Sequence, residues 1–199
     1  MMVIEEGALA AEALPIQELR DQLRLGGADG GTADGLLGTH LRAAMAAIEA
    51  RTGKVLIARR FRWRFAGWRD ADGQPLPLAP VAQVHEVAVI AGDGTRHVVD
   101  PARWRLVADL HRPRVSGRGG ALPAVDEDGF VEIDFTAGFA TQWDQVPPDL
   151  RHAVMLLAAR YHEDRVEGGQ GQAAALPFGV SALIERFRSV RILGGRGRR

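Results

Sequence analysis

The chain has 199 residues, with 25 basic and 25 acidic side chains, so its formal net charge is zero. Hydrophobic residues make up 46% of it, which excludes an intrinsically disordered chain and allows a buried core. The absence of cysteine excludes disulfides, cysteine-bound zinc and thiol nucleophiles. No apolar run reaches the roughly 18 residues that span a bilayer, and acids stand where a signal peptide carries bases. We therefore expect a protein that is cytoplasmic when made and has no membrane partner.

Helical periodicity comes first along the chain. Residues 15–25 predict a short helix, with Pro15 at its start and Ile16, Leu19 and Leu23 on one face. A glycine-rich loop at 26–35 leads to a second helix from about 34 to 51, which Gly53 ends. Its predicted apolar stripe is Leu37, Leu41, Ala44, Met45 and Ile48.

The pattern then changes to period two. In residues 58–65 three aromatic side chains alternate with three arginines, which predicts a half-buried strand with a basic outer face: Phe61, Trp63 and Phe65 inside, Arg60, Arg62 and Arg64 outside. Further strands are predicted at 84–90, 96–99, 103–107 and 130–136. Residues 92–95 predict a hairpin turn, and the segments 76–80 and 111–120 predict loops or edge segments.

Helical periodicity returns after the last strand. Pro147 and Pro148 favour the start of a long helix that is apolar nearly all round and ends near His162. A link at 167–175 precedes a last helix at about 178–190. The predicted class is α+β: a helical bundle from both chain ends, an inserted antiparallel β block and an extended basic C-terminal tail. The predicted boundaries are 1–57 and 145–190 for the helical core, 58–144 for the β-rich insertion and 191–199 for a flexible basic tail.

The cluster from His162 to Arg165 raises the question of a metal or acid–base site. The zinc-protease motif needs a second histidine one turn after the first, and none follows here. His152 lies ten residues earlier, about 15 Å along a helix axis, which is too far to share an ion. No serine nucleophile motif is present either. We therefore expect no enzyme, no metal and no cofactor, with a hydrolase site near His162 and Glu163 as the least favoured hypothesis.

Two groups of arginines allow alternative interpretations. The last fifteen residues hold six arginines, which predicts either a solvated terminus or a segment that docks on an acidic protein or a nucleic-acid backbone. Arg60, Arg62 and Arg64 form either an ordinary solvated sheet face or a face toward DNA or a partner. A zero net charge argues against a protein whose whole surface grips nucleic acid.

Four segments, in their order and spacing, resemble the head–tail connector (adaptor) proteins of long-tailed phages and of phage-derived gene transfer agents. They are PIQELRDQLRL, LRAAMAAIEARTGKVLI, IDFTAGFA with VPPDLRHAVMLLAARYHEDR, and LPFGVSALIERFR. These resemble the opening helix, the second helix and strand start, the Thr-Ala-Gly turn with its long helix, and the closing helix of that family. The resemblance covers the chain from end to end.

The resemblance implies a structural role. Such adaptors form a ring, commonly of twelve copies, beneath the portal, and they extend the DNA channel to the tail. It implies as partners the portal protein, a stopper or other tail-completion protein, further copies of the chain and passing DNA without sequence-specific contacts, at the head–tail junction of a particle. We assign portal docking to the C-terminal arginines Arg186, Arg188, Arg191, Arg196, Arg198 and Arg199. The alternative is a nucleic-acid-binding module that uses this tail and the strand face.

Overall fold

The computed structural model describes residues 2–25, 32–70, 73–166 and 176–188, and its described part confirms the α+β class. The helices are α1 (Ile16–Gln22), α2 (Thr32–Thr52), α3 (Pro148–Val166) and α4 (Phe178–Ile184). The strands are β1 (Met2–Glu6), β2 (Arg59–Phe65), β3 (Gly73–Pro75), β4 (Val81–Ile90), β5 (Arg96–Val98), β6 (Trp104–Val107), β7 (Arg114–Gly117) and β8 (Phe130–Ala137). Short 3₁₀ turns lie at Ala11–Ala13, Pro101–Arg103, Trp143–Gln145 and Glu185–Phe187.

The helices share one hydrophobic core. The predicted stripe of α2 is buried, with Leu37, Leu41 and Ile48 fully so, and it packs against α3 and α1. The helix α2 ends where the left-handed Gly53 (φ 67°) donates its backbone N–H to the Glu49 carbonyl. On α3 the buried side chains cover most of the circumference, so this helix is central, as its apolar pattern predicts.

Five strands form an antiparallel sheet in the order β1-β2-β8-β4-β5. Alternation along β2 sends Phe61, Trp63 and Phe65 into a second core, while Arg60, Arg62 and Arg64 face outward. The predicted turn joins β4 to β5, where Gly94 has φ 87° and Thr95 donates its N–H to the Asp93 carboxylate. The register of the sheet therefore follows from the period-two pattern of β2 and from this turn.

A three-stranded sheet, in the order β3-β7-β6, shares the second hydrophobic core with the five-stranded sheet. Trp104 of β6 and Val115 of β7 are buried in this core, and so is Leu76, which follows β3. The prediction of residues 111–120 as loops or edge segments is wrong for β7, which is the middle strand of this sheet. β7 has only four residues and is flanked by proline and glycine, which favour loops in a sequence. In the structure it pairs with β3 on one side and with β6 on the other.

The N-terminal strand β1 was not predicted at all. The prediction placed residues 1–57 with the helices, but Met2–Glu6 pairs antiparallel with β2 and forms one edge of the five-stranded sheet. The predicted helix at 15–25 is shorter, because Arg24 already has a left-handed φ of 55°. Residues 26–31, 167–175 and the tail from 189 lie outside the described residues, so the predictions for them stay predictions.

Glu49 joins the helices to the sheets. Its carboxylate accepts the Leu56 backbone N–H at 2.8 Å and a guanidinium N–H of Arg59 at 2.6 Å. Arg59 also reaches Glu5 on β1, with 3.4 Å between Nε and Oε1. Burial raises the pKa of Glu49, against the lowering effect of the Leu56 and Arg59 contacts. One side chain therefore links α2, β2 and, through Arg59, the N-terminal strand.

Candidate interaction surfaces

The outward side of the five-stranded sheet, here called the charged face, carries as many acids as bases within its ion-pair network. Its members are Glu6, Glu86, Glu132 and Asp134 with Arg60, Arg62, Arg64 and Arg96. The two acids of the central strand β8 lie beneath the arginines and are buried, at 7% relative exposure each. The face therefore has a built-in countercharge for its arginines.

Three of the four arginines of β2 face outward, and each of the three meets a carboxylate. Arg60 binds Asp134 through two N–H···O bonds of 2.7 and 2.5 Å, Arg62 lies 2.5 Å from Glu6, and Arg64 lies 2.7 Å from Glu132. The bond to Asp134 and its charge raise the pKa of Arg60. Arg60, Arg62 and Arg64 therefore have carboxylate partners within the chain, and their assignment to DNA or to a partner stays a prediction.

Glu132 is the centre of this network. Burial alone would raise its pKa, but hydrogen bonds from Arg64 and Arg96 and the charges of Arg64 and Arg62 outweigh burial and lower it. Arg96 comes from the far edge strand β5 and also binds Glu86, and both contacts raise the pKa of Arg96. The network thus crosses the sheet from β2 to β5 through one carboxylate.

Two of the six predicted docking arginines are described, and both have partners within the chain. Arg186 lies 2.9 Å from Asp149 at the start of α3, and its guanidinium lies 4.7 Å from the Phe187 ring centroid. Arg188 lies 2.9 Å from Glu185 one turn earlier. Arg191, Arg196, Arg198 and Arg199 lie outside the described residues.

The His162 cluster ends α3 as a polar segment. The His162 ring packs edge-on against His40 of α2, with ring centroids 5.8 Å apart, while Glu163 is exposed. Asp164 pairs with Arg160 at 2.8 Å, one turn back on the same helix. Over the described ranges, no group of three or more histidine or acidic residues could hold a metal ion. The neighbour of His162 comes from another helix, which no sequence spacing indicates.

Lys54, the single lysine of the chain, is buried between the helices and the sheets at 1% relative exposure. Burial lowers its pKa, and the Asp109 carboxylate acts in the opposite direction. Its backbone bridges to Ala79. Lys54 lies in the segment between α2 and β2, where Val55 belongs to the second core and Leu56 to the first.

Several apolar side chains are exposed that sequence reasoning did not single out. Phe178, the first residue of α4, is 89% exposed, and Met2, Ile4 and Val98 lie exposed on the two edge strands of the five-stranded sheet. The apolar residues at 2–4, two of them β-branched, favour a strand by composition, but they are too few to show a period. Exposed apolar side chains mark contact surfaces where they form a contiguous patch, and Met2 and Ile4 lie together on one face of the same strand.

The solved structures that match this chain include three that cover nearly its whole length. One is in the neck of an empty gene transfer agent particle computed with C6 symmetry: 51% identity, TM-score 0.89, covering 99% of this chain and 100% of that chain. A second is in the virion of a native gene transfer agent particle, at 51% identity, TM-score 0.87 and the same coverage. A third is in the neck of a native particle computed with C12 symmetry, at 49% identity, TM-score 0.85 and the same coverage.

No protein-family model matches the chain, and no curated protein matches it. The solved structures define the class of protein: a structural component of a phage-like particle, located in its neck. The chain belongs to the head–tail connector family found in gene transfer agents. Over the described residues no helix is long and apolar enough to cross a membrane.

Proposed function

We propose that this chain is the head–tail adaptor of a gene-transfer-agent or phage particle, forming a ring beneath the portal and extending the DNA channel toward the tail. The observation that carries the proposal is the match of about half the residues, over the entire chain, to chains in necks computed with C6 and C12 symmetry. Cyclic symmetry requires two different, complementary surfaces on one subunit. The exposed Phe178 and the two apolar sheet edges supply candidates for such surfaces.

The charge distribution suits a channel through which DNA slides. Grip on a duplex is electrostatic and depends on cationic side chains that neutralise phosphates. Here the charged face holds its arginines against carboxylates of the same sheet, at 2.5 to 2.7 Å for the bonds to Asp134. The chain as a whole has zero formal charge. Passing DNA would therefore meet a surface with little net attraction.

Portal docking is assigned to the arginines at the C-terminal end. Arg186 and Arg188 already have intrachain partners, so the proposal rests mainly on the four arginines from Arg191 onward. Guanidinium groups match carboxylates in a bidentate geometry, which favours an acidic surface of the portal as the binding site.

The experiment is truncation after Ile192, with binding to purified portals measured by co-sedimentation. We expect the truncated chain to unfold at the same temperature as the full chain and to lose portal binding. A matched variant keeps the full length and replaces Arg196, Arg198 and Arg199 by glutamine. It shows whether binding depends on the charge of the tail or on its length. Normal portal binding by the truncated chain contradicts the docking assignment, and absence of rings on portals with the full chain contradicts the adaptor function.

A further inference from the structure

The first three residues of β1 are apolar, as in an interior strand, but β1 lies at an edge of the sheet. In the register with β2, Met2 and Ile4 lie beside Arg64 and Arg62 on the charged face, whereas Val3 lies beside Trp63 on the core side. The strand is thus apolar on both faces over three successive residues, a pattern of strands that are covered on both sides. Met2, Val3 and Ile4 are 50%, 37% and 36% exposed in the single chain.

The backbone of β1 is also open on one side. Among the described strands it pairs with β2 alone, which leaves one row of its N–H and C=O groups facing outward. Natural proteins protect such edges with lysine, proline, bulges or inward charges. None of these devices lies within Met2–Ile4, whereas Glu5 stands beside Phe61 on the core side and Glu6 beside Arg60 on the charged face. The unprotected part of the edge is therefore Met2–Ile4, and such a segment is a template for strand addition.

The opposite edge of the same sheet, formed by β5, also carries an exposed apolar side chain. Val98 on β5 pairs with Ala88, which itself pairs with Glu132, so Val98 lies on the charged face, 55% exposed. Each edge of that face therefore carries exposed apolar side chains, with the neutral charge network between them. Since every neighbouring pair in the sheet is antiparallel, β1 and β5 run in the same direction.

We propose that in the assembled ring β1 of one copy adds, in parallel, to β5 of the next copy. This inference rests on the proposed function, because it takes the occupant of the edge to be a second copy in a cyclic assembly. The two edges are different surfaces, as a head-to-tail contact without a twofold axis requires. A pairing of β1 with β1 would need that twofold axis, which rotation about a single ring axis does not supply. The necks with C6 and C12 symmetry provide the rotational arrangement.

Thiol cross-linking tests the contact directly, because the natural chain has no cysteine. The double variant Ile4→Cys with Val98→Cys places one thiol on each edge of the charged face. We expect a bis-maleimide linker, added to full-length chains assembled on portals, to produce a ladder of covalent oligomers up to ring size. The single variants should stay monomeric on denaturing gels, and so should Ile4→Cys with Leu110→Cys, which pairs the same edge with an exposed loop position.

A second measurement places a lysine on β1, because a charged side chain on an edge strand opposes the addition of another strand. We expect Ile4→Lys to leave the unfolding temperature unchanged, because the position is exposed, and to weaken ring assembly by about tenfold. The matched control Leu110→Lys should assemble normally. Rings that form without any ladder from the double variant, or that tolerate Ile4→Lys, overturn the strand contact and leave the adaptor function standing. No rings from the unmodified chain would instead contradict the adaptor function itself.

Discussion

The turn between β8 and α3 requires glycine at position 138. Its φ is +146°, and a Cβ there would lie 2.3 Å from the Ala58 Cα and 2.4 Å from the Ala58 nitrogen. Both atoms are backbone, and Ala58 is held by its bond to the Ala140 carbonyl at 2.7 Å. The Thr-Ala-Gly segment, which the sequence resemblance singled out, thus has a steric reason for its glycine.

We expect Gly138→Ala to lower the free energy of unfolding by about 3 kcal/mol or more, from overpacking and from a disfavoured backbone conformation. Urea unfolding measures it. The control is Gly179→Ala in α4, where an added Cβ meets nothing within 4 Å. That variant should be as stable as the natural chain or slightly more so. Equal stability of both variants would contradict the steric account.

At the scale of the elements, Glu132 ties three strands of the larger sheet. Its side chain is 8% exposed, accepts a bond from Arg64 at 2.7 Å, and lies 3.3 Å from Arg96. Replacement of the carboxylate by an amide removes the negative charge and one of the two acceptor oxygens that these guanidinium groups share. We expect Glu132→Gln to lower the free energy of unfolding at pH 7 by about 1–3 kcal/mol. Urea unfolding at pH 7 checks this, with the exposed Glu163→Gln as control.

The same carboxylate predicts a pH dependence. The folded-state pKa of Glu132 lies below the ordinary value of 4.5, so the unfolded chain binds more protons in that window. Its contribution to stability is therefore present above pH 4.5 and is lost as the pH falls through the folded-state pKa. The Glu132→Gln variant should lose less stability than the natural chain on acidification from about pH 5 to pH 3. Parallel stability curves for the two chains would contradict this assignment.

For the whole molecule, balanced charge predicts weak contact with nucleic acid. The 25 basic and 25 acidic side chains cancel, and the arginines of the charged face are paired within the sheet. We expect fluorescence anisotropy with a short duplex at low salt to show negligible binding and no steep decrease with added salt. The chain truncated after Ile192 is the control. Strong, salt-dependent binding that disappears on truncation would favour the nucleic-acid hypothesis for the tail.

The local elements were largely predictable. The stripe of α2, the alternation of β2, the turn at 92–95 and the glycine end at Gly53 are confirmed, because each signal lies within a few consecutive residues. The predictions failed for β1, β3 and β7. A five-residue strand without alternation, and strands of three and four residues among proline and glycine, carry too little periodic signal to be identified.

The sequence by itself determined the α+β class, the apolar faces of the helices and strands, and the resemblance to head–tail connectors, because these depend on local periodicity and on the order of segments. Only the tertiary structure decided the environment of the charged residues. Arg60 meets an aspartate 74 positions away, Arg64 a glutamate 68 positions away, and His162 a histidine on another helix. Long-range strand pairing and helix packing determine those partners. The residues of a single strand do not indicate which carboxylate on a neighbouring strand will lie beside its arginines.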